Sequence, residues 1–303
     1  MIFFGNMLDR LKNHSTEGLF VGFSITIISA VIFGALGLRF LKRIPEPQVS
    51  QFHQVESLGK ILHRPFGERN FRHFLLFAIF WGFSVHFASP FFTLYFLRYL
   101  KLSYGFVAVL GTISACADLL GMQVWGRISD KVRNKAIIQF AGWVAVFLPL
   151  AWVWVRPGDL VLPVVLQVIG GGFWAGINLC TNNLLLRISP LENRPFFLSV
   201  YNIVAGVGAA LGPIVGGLAA KYLVNLELEF VGLEMVPLQI VFLISTILRF
   251  VSFQLFKYVH EPEEATIGQL VRVLRNVRGL NVATGFNYLL HPFIEIIRED
   301  EQS

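Results

Sequence analysis

The sequence is poor in charge. Only 15% of its 303 residues are Asp, Glu, Lys or Arg, against about 25% in soluble domains, which excludes an ordinary water-facing globular surface. Cysteine is scarce as well. Cys116 and Cys180 are the two present, both lie inside apolar runs, and they read as small packing residues, not as a disulfide or a metal pair. There is no Walker loop, no H-E-x-x-H, no G-x-S-x-G and no Cys/His cluster, so the residues offer no footing for nucleotide-driven, metallopeptidase or hydrolase chemistry. The reading is therefore a chain that is not an enzyme, with no catalytic residue, metal site or cofactor. No stretch shows strand alternation. The first apolar run passes into a basic flank without a small-residue cleavage site, so no secretory signal is read.

What is present is hydrophobicity: 55% of the residues are apolar and 30 are Phe. It is gathered into seven runs, 18–38, 74–97, 104–125, 137–155, 161–186, 197–220 and 238–257. Each approaches or exceeds the roughly 20 residues needed to cross about 30 Å of hydrocarbon. In that medium the backbone must satisfy itself, so the class is an all-α membrane protein of seven transmembrane helices with the lipid bilayer as first partner. The connections at 98–103 and 156–160 are short enough to make neighbouring spans antiparallel. Pro45-Glu46-Pro47 ends the first exit from the membrane. The expected organisation is an external loop 1–17, with room in it for the last residues of an earlier helix, a first span 18–38, a polar connection 39–72, a six-helix domain 73–258 and a polar tail 259–303. In the tail, Ile267, Leu270, Val271, Leu274 and Val277 recur at helical spacing among arginines, a pattern suited to lying on a membrane surface.

Basic residues are unevenly shared. Of the 25 Lys and Arg, 18 fall in 39–72, 127–135, 187–194 and 257–298, and 6 in the segments at the other ends of the spans. Arg249 lies within a span, where it is expected to snorkel or pair with an acid. The bias puts the first group in the cytoplasm, the N-terminus outside and the C-terminus inside. It also accounts for the net charge of +6 without a nucleic-acid partner.

The most polar short run between two spans is Gly126-Arg127-Ile128-Ser129-Asp130-Lys131-Val132-Arg133-Asn134-Lys135. It resembles the loop signature G-x-L-A-D-R-x-G-R-K of the major facilitator superfamily of transporters, with Gly126, Ile128, Ser129, Asp130, Lys131 and Lys135 fitting and Arg133 standing where the family usually has its second Gly. Ile44-Pro45-Glu46-Pro47, Asn70 to Phe77, Ala88 to Thr93 and Trp125-Gly126-Arg127 add to a resemblance to bacterial members. The resemblance implies that spans two to seven form one half of a twelve-span fold, a 3+3 inverted repeat, with span one as the sixth family helix. It further implies a plasma (bacterial inner) membrane location and a small-molecule substrate. Under that mapping the chain reads as N-terminally truncated, needing a complementary half or a second copy to work, or else as a non-transporting fragment. A seven-helix receptor fits the spans and orientation, but span seven has neither Asn-Pro-x-x-Tyr nor a mid-span Lys.

Polar residues inside spans are the candidate site, since a charge at a helix centre costs about 2.5–3.5 kcal/mol on insertion scales. Asp118 and His86 are the candidates for proton coupling. Ser89 and Thr93 follow His86 at i+3 and i+7, and Trp174, Asn178 and Asn182 recur at i, i+4, i+8. These two stripes fall on spans that by resemblance line the central cavity, which makes them candidates for substrate contact. At the signature loop, Asp130 and Arg187 end their spans on the same side and can form a charge-assisted gate pair. Gly208, Gly212, Pro213, Gly216 and Gly217 resemble a glycine-proline motif of the family's antiporters, but occur in a different helix. They read as a close-packed, kinked helix.

Overall fold

The computed structural model describes residues 2–14, 16–41, 58–223, 228–230 and 233–261. The Pro45–Pro47 exit and the amphipathic helix expected in the tail lie outside them. The helices are α1 (Ile2–His14), α2 (Thr16–Leu41), α3 (Leu58–Gly67), α4 (Arg69–Leu94), α5 (Tyr104–Ser129), α6 (Asn134–Ala151), α7 (Val161–Ile188), α8 (Arg194–Leu223) and α9 (Pro237–Gln254). Seven of them, all but α1 and α3, are long and apolar enough to cross a membrane. Each extends a few residues past its apolar run at one or both ends, because a helix that reaches the interface can continue into it. The polar loop read over ten residues is thus reduced to 130–133 between α5 and α6.

The all-α membrane class stands, with one exception outside the spans. A strand pair is present between α8 and α9, β1 (Leu228–Phe230) with β2 (Leu233–Met235), antiparallel with Leu228 opposite Met235. Apolar and acidic residues do alternate there, Leu228-Glu229-Phe230 and Leu233-Glu234-Met235. Each run is only three residues long, too short for alternation to stand out in the sequence.

Helices α4 to α9 form one bundle. Helix α4 packs chiefly on α8, and α5 on α7. Helix α6 packs on α7, α4 on α9, and α6 on α9. Exchanging α4 with α7, α5 with α8 and α6 with α9 maps this set of contacts onto itself, which is the signature of two three-helix repeats of inverted topology. Both members of the tightest related pair are closed by glycine. A Cβ on Gly208 or Gly216 would overlap the carbonyl oxygen of Ile79 or Phe87 on α4, and one on Gly212 would lie 2.7 Å from that of Phe83. On the other pair, a Cβ on Gly171 would overlap the Ser114 carbonyl, and one on Gly121 would lie 2.8 Å from that of Gly172. Lipid tails give helices no hydrophobic reason to associate, so close backbone approach supplies the contact. Gly217 meets nothing within 4 Å.

At the end of the bundle away from the 130–133 loop, buried polar groups tie three helices together. The chain after α4 makes a π-helical turn, Tyr95–Tyr99. The buried Tyr95 hydroxyl donates to the Val155 carbonyl at 2.9 Å and accepts from Gln239 Nε2 at 3.2 Å. Gln239 Nε2 also donates to the Val153 carbonyl, and its Oε1 accepts from the Val236 N–H, which fixes the start of α9. Tyr95→Phe strands these partners without changing shape, so the melting temperature in detergent should fall by the equivalent of about 1–2 kcal/mol. An unchanged melting curve would show that the network is not holding the helices.

The segment 1–17, read as a loop, is helical over Ile2–His14, and this α1 packs on the bundle through α5. Asp9 of α1 caps α5, its Oδ1 accepting from Tyr104 N–H at 2.8 Å and its Oδ2 from Gly105 N–H at 2.6 Å. This satisfies N–H groups that a helix start leaves open. Helix α2 packs mainly on α1 and is exposed along nearly its whole length, as a helix facing lipid can be.

Candidate functional site

Two cavities are lined by polar groups. The first, about 380 Å³, lies among α4, α5, α6 and α7 and runs from the middle of the bundle towards the end away from the 130–133 loop, with Arg249 of α9 in its wall. Ser89 and Thr93 of α4, Ser114 of α5, and Gln167 and Trp174 of α7 face it. Prolines shape this region. Pro149 has no N–H, so the Ala145 carbonyl one turn back in α6 loses its helical partner. Arg249 Nη1 donates to that oxygen at 2.8 Å.

Of the residues singled out in the sequence, Ser89, Thr93 and Trp174 line this cavity. Asp118 is half-buried on α5, one turn beyond Ser114 and on the same face, with no hydrogen bond or ion pair among the described residues. His86 is exposed one turn before Ser89, with Nδ1 2.9 Å from the Gly82 carbonyl of its own helix. Such a bond requires the proton on Nδ1. Asn178 and Asn182 are exposed on α7, continuing the Trp174 stripe from the cavity towards the 130–133 loop. Arg249 neither snorkels nor pairs with an acid among the described residues. It is 3% exposed and hydrogen-bonds to backbone.

The second cavity, about 590 Å³, lies at the loop end and is lined by Asp130, Lys131, Asn134, Asn183, Arg187 and Arg194 among others. The loop is a compact turn. Ser129 Oγ donates to the Gly126 carbonyl at 2.7 Å, and Val132 N–H to that of Ile128 at 2.8 Å. Arg133 adopts φ −64°, ψ 152°, a conformation open to any residue, so this turn has no need of a glycine there. Asp130 and Arg187 face the same cavity, yet Arg187 Nη1 reaches Glu261 Oε1 at 3.2 Å.

Glu261 is the residue the sequence reading missed. It follows α9 and a short 3₁₀ turn, is 2% exposed, and turns its carboxylate onto the start of α6. Oε2 accepts from Lys135 N–H at 2.8 Å, and Oε1 from Asn134 Nδ2 at 2.9 Å. A carboxylate at a helix N-terminus meets open N–H groups and the positive end of the dipole together. A reciprocal pair fastens the same segment to α4: Asn70 Nδ2 donates to the His260 carbonyl at 2.7 Å, and His260 N–H to Asn70 Oδ1 at 2.8 Å. The available signal was an acid just past the last span, at the end where arginines gather.

The fold thus pairs two three-helix repeats around a polar mid-bundle cavity, with a basic turn at one end. The sequence matches the family profile of the Major Facilitator Superfamily over residues 73–294. The chain belongs to that superfamily. A curated relative, the MFS-type transporter ucsD of an Acremonium species, is 44% identical over 54 residues, 18% of this chain. That match spans 9% of the relative's own length. The matched region takes in α5 to α9 whole and all of α4 but its first turn. The turn at 130–133 lies at the end of the bundle that holds the second cavity, and Trp174, Asn178 and Asn182 lie one turn apart along α7.

Proposed function

We propose that this protein moves a small solute across the plasma (bacterial inner) membrane by alternating access, with α4 to α9 supplying one wall of the path. The observation that carries this reading is the cavity that reaches mid-bundle, with polar side chains set in an apolar wall and bordered by α4 and α7, the equivalent helices of the two repeats. Binding near the midplane at a repeat interface is how such folds expose one site to either side in turn. Helices α5 and α8 expose small and apolar residues on the faces turned from the bundle, Ile203, Val207 and Leu211 among them. A second six-helix unit docked there would complete the path. The distribution of Lys and Arg supports a cytoplasmic 130–133 loop and an external α1.

In this reading Asp118 and His86 carry protons, and Ser89, Thr93, Trp174, Asn178 and Asn182 contact the solute. Asp130 and Arg187 gate the cytoplasmic end. With Glu261 holding the guanidinium, Asp130 competes for Arg187 as the loop moves, and a difference of about 1–3 kcal/mol between the two partners suffices to bias two states. The test is solid-supported-membrane electrophysiology on proteoliposomes, challenged with panels of small sugars, amino acids and organic acids. At least one class should evoke a current absent from empty liposomes. Asp118→Asn should abolish accumulation driven by a pH gradient while leaving exchange. Silence to every panel sinks the transport reading, and proton-driven uptake surviving in both Asp118→Asn and His86→Gln removes those residues from coupling.

A further inference from the structure

Arg249 is a cation in the interior of a membrane bundle with no acid among the described residues to balance it. It lies near the middle of the Pro237–Tyr258 span. Nη1 donates to the Ala145 carbonyl at 2.8 Å, and Nη2 makes only a long contact, 3.4 Å, to that of Val85. Nε is buried with no partner. Of five N–H donors, two are engaged among the described residues, both with neutral oxygens. The carbonyl freed by Pro149 explains one hydrogen bond and leaves the charge uncompensated. A charge inside a membrane bundle is held by an opposite charge or by backbone carbonyls, and where a cavity adjoins it, it marks a substrate or ion path.

The guanidinium lines the 380 Å³ cavity, and among the described residues no carboxylate lines that cavity with it. Ser89, Thr93, Ser114 and Gln167 offer neutral hydrogen-bonding groups around the same space, and Trp174 an aromatic face. We infer that the cavity binds a small organic anion, an acidic group on an apolar or aromatic body, with Arg249 as its charge partner. A carboxylate suits the planar fork of donors. The ring of Trp174 suits the apolar body. The inference rests on the transport reading only in taking this anion to be the solute carried, since binding itself requires no transport.

The test reads the sign of the cavity potential without reading flux. Thr93→Cys, in the full chain with Cys116→Ser to silence the exposed native thiol, places a reporter in the cavity wall. Sulfonatoethyl and trimethylammonioethyl methanethiosulfonate are then compared, each normalised to a free thiol. The anionic reagent should be favoured about tenfold, as expected for a cleft potential of a few kT. Arg249→Lys should keep the preference and Arg249→Gln should lose it. Benzoate should slow the labelling where the neutral, equally shaped benzamide does not. Absence of a preference for the anionic reagent, equal protection by benzoate and benzamide, or a preference surviving in Arg249→Gln would each overturn the proposal. If Arg249→Gln does not fold, the benzoate and benzamide comparison decides alone. Benzoate protection without flux of any solute would sink transport and leave the site standing, while flux of neutral solutes without a labelling preference would do the reverse.

Discussion

Gly216→Val should largely abolish stable assembly of α8 on α4. A Cβ at this position would overlap the Phe87 carbonyl oxygen, and the ring of Phe91 stands 3.1 Å away. Inserting methylenes into a packed core costs about 1–3 kcal/mol when side chains can shift. Here the obstacle is main chain in the middle of a helix, which cannot shift without carrying the helix with it, so the cost lies at the top of that range or beyond. Gly208→Val should behave alike, since its obstacle is the Ile79 carbonyl. Gly217→Ala is the control. Nothing lies within 4 Å of its Cβ position, and alanine gains about 0.5–1 kcal/mol over glycine in a helix. Fluorescence-detected size exclusion after a temperature ramp separates the outcomes: an early loss of the monodisperse peak for Gly216→Val, and none for Gly217→Ala. Equal melting of the two would show that α4 and α8 do not depend on this contact.

Glu261→Ala should destabilise the loop end far more than Arg187→Ala does. The two share an ion pair, but their surroundings differ. The Arg187 side chain is 42% exposed, and water screens a partner on that side, so the pair itself contributes about 1 kcal/mol or less. Glu261 is fully enclosed and also accepts from Lys135 N–H and Asn134 Nδ2. Its truncation uncaps α6 and leaves buried donors without an acceptor, for a combined cost of about 2–4 kcal/mol. Glu261→Gln, which keeps one carbonyl acceptor but not the charge, should fall between. Thermal melts of the three variants in one detergent give the order directly. If Arg187→Ala were as damaging as Glu261→Ala, the capping account would be wrong and the ion pair dominant.

The candidate site was legible in parts. Ser89, Thr93 and Trp174 were found because polar side chains at helical spacing are conspicuous against an apolar helix, and they do share one cavity. Asn178 and Asn182 were found by the same spacing but lie on the open face beyond it. Arg249 was visible as an anomaly whose expected answer was a nearby acid. Among the described residues its contacts are backbone carbonyls of α6 and α4, which sequence spacing cannot reveal. The hairpin of β1 and β2 was missed because six residues in two runs carry too little periodicity to weigh against the absence of strands elsewhere.

The sequence by itself determined the membrane class, the number of spans and their antiparallel succession. The reason is solvation. An apolar run of about 20 residues in hydrocarbon has one local way to satisfy its backbone, and that way depends on no other part of the chain. The tertiary structure decided which helix faces meet, where the cavities lie and what holds each charge. Glu261 reaches Lys135 across 126 positions and Arg187 across 74. Such partners are chosen by how the glycine-lined helices cross, because each charge takes whichever donor or acceptor the packing brings within reach.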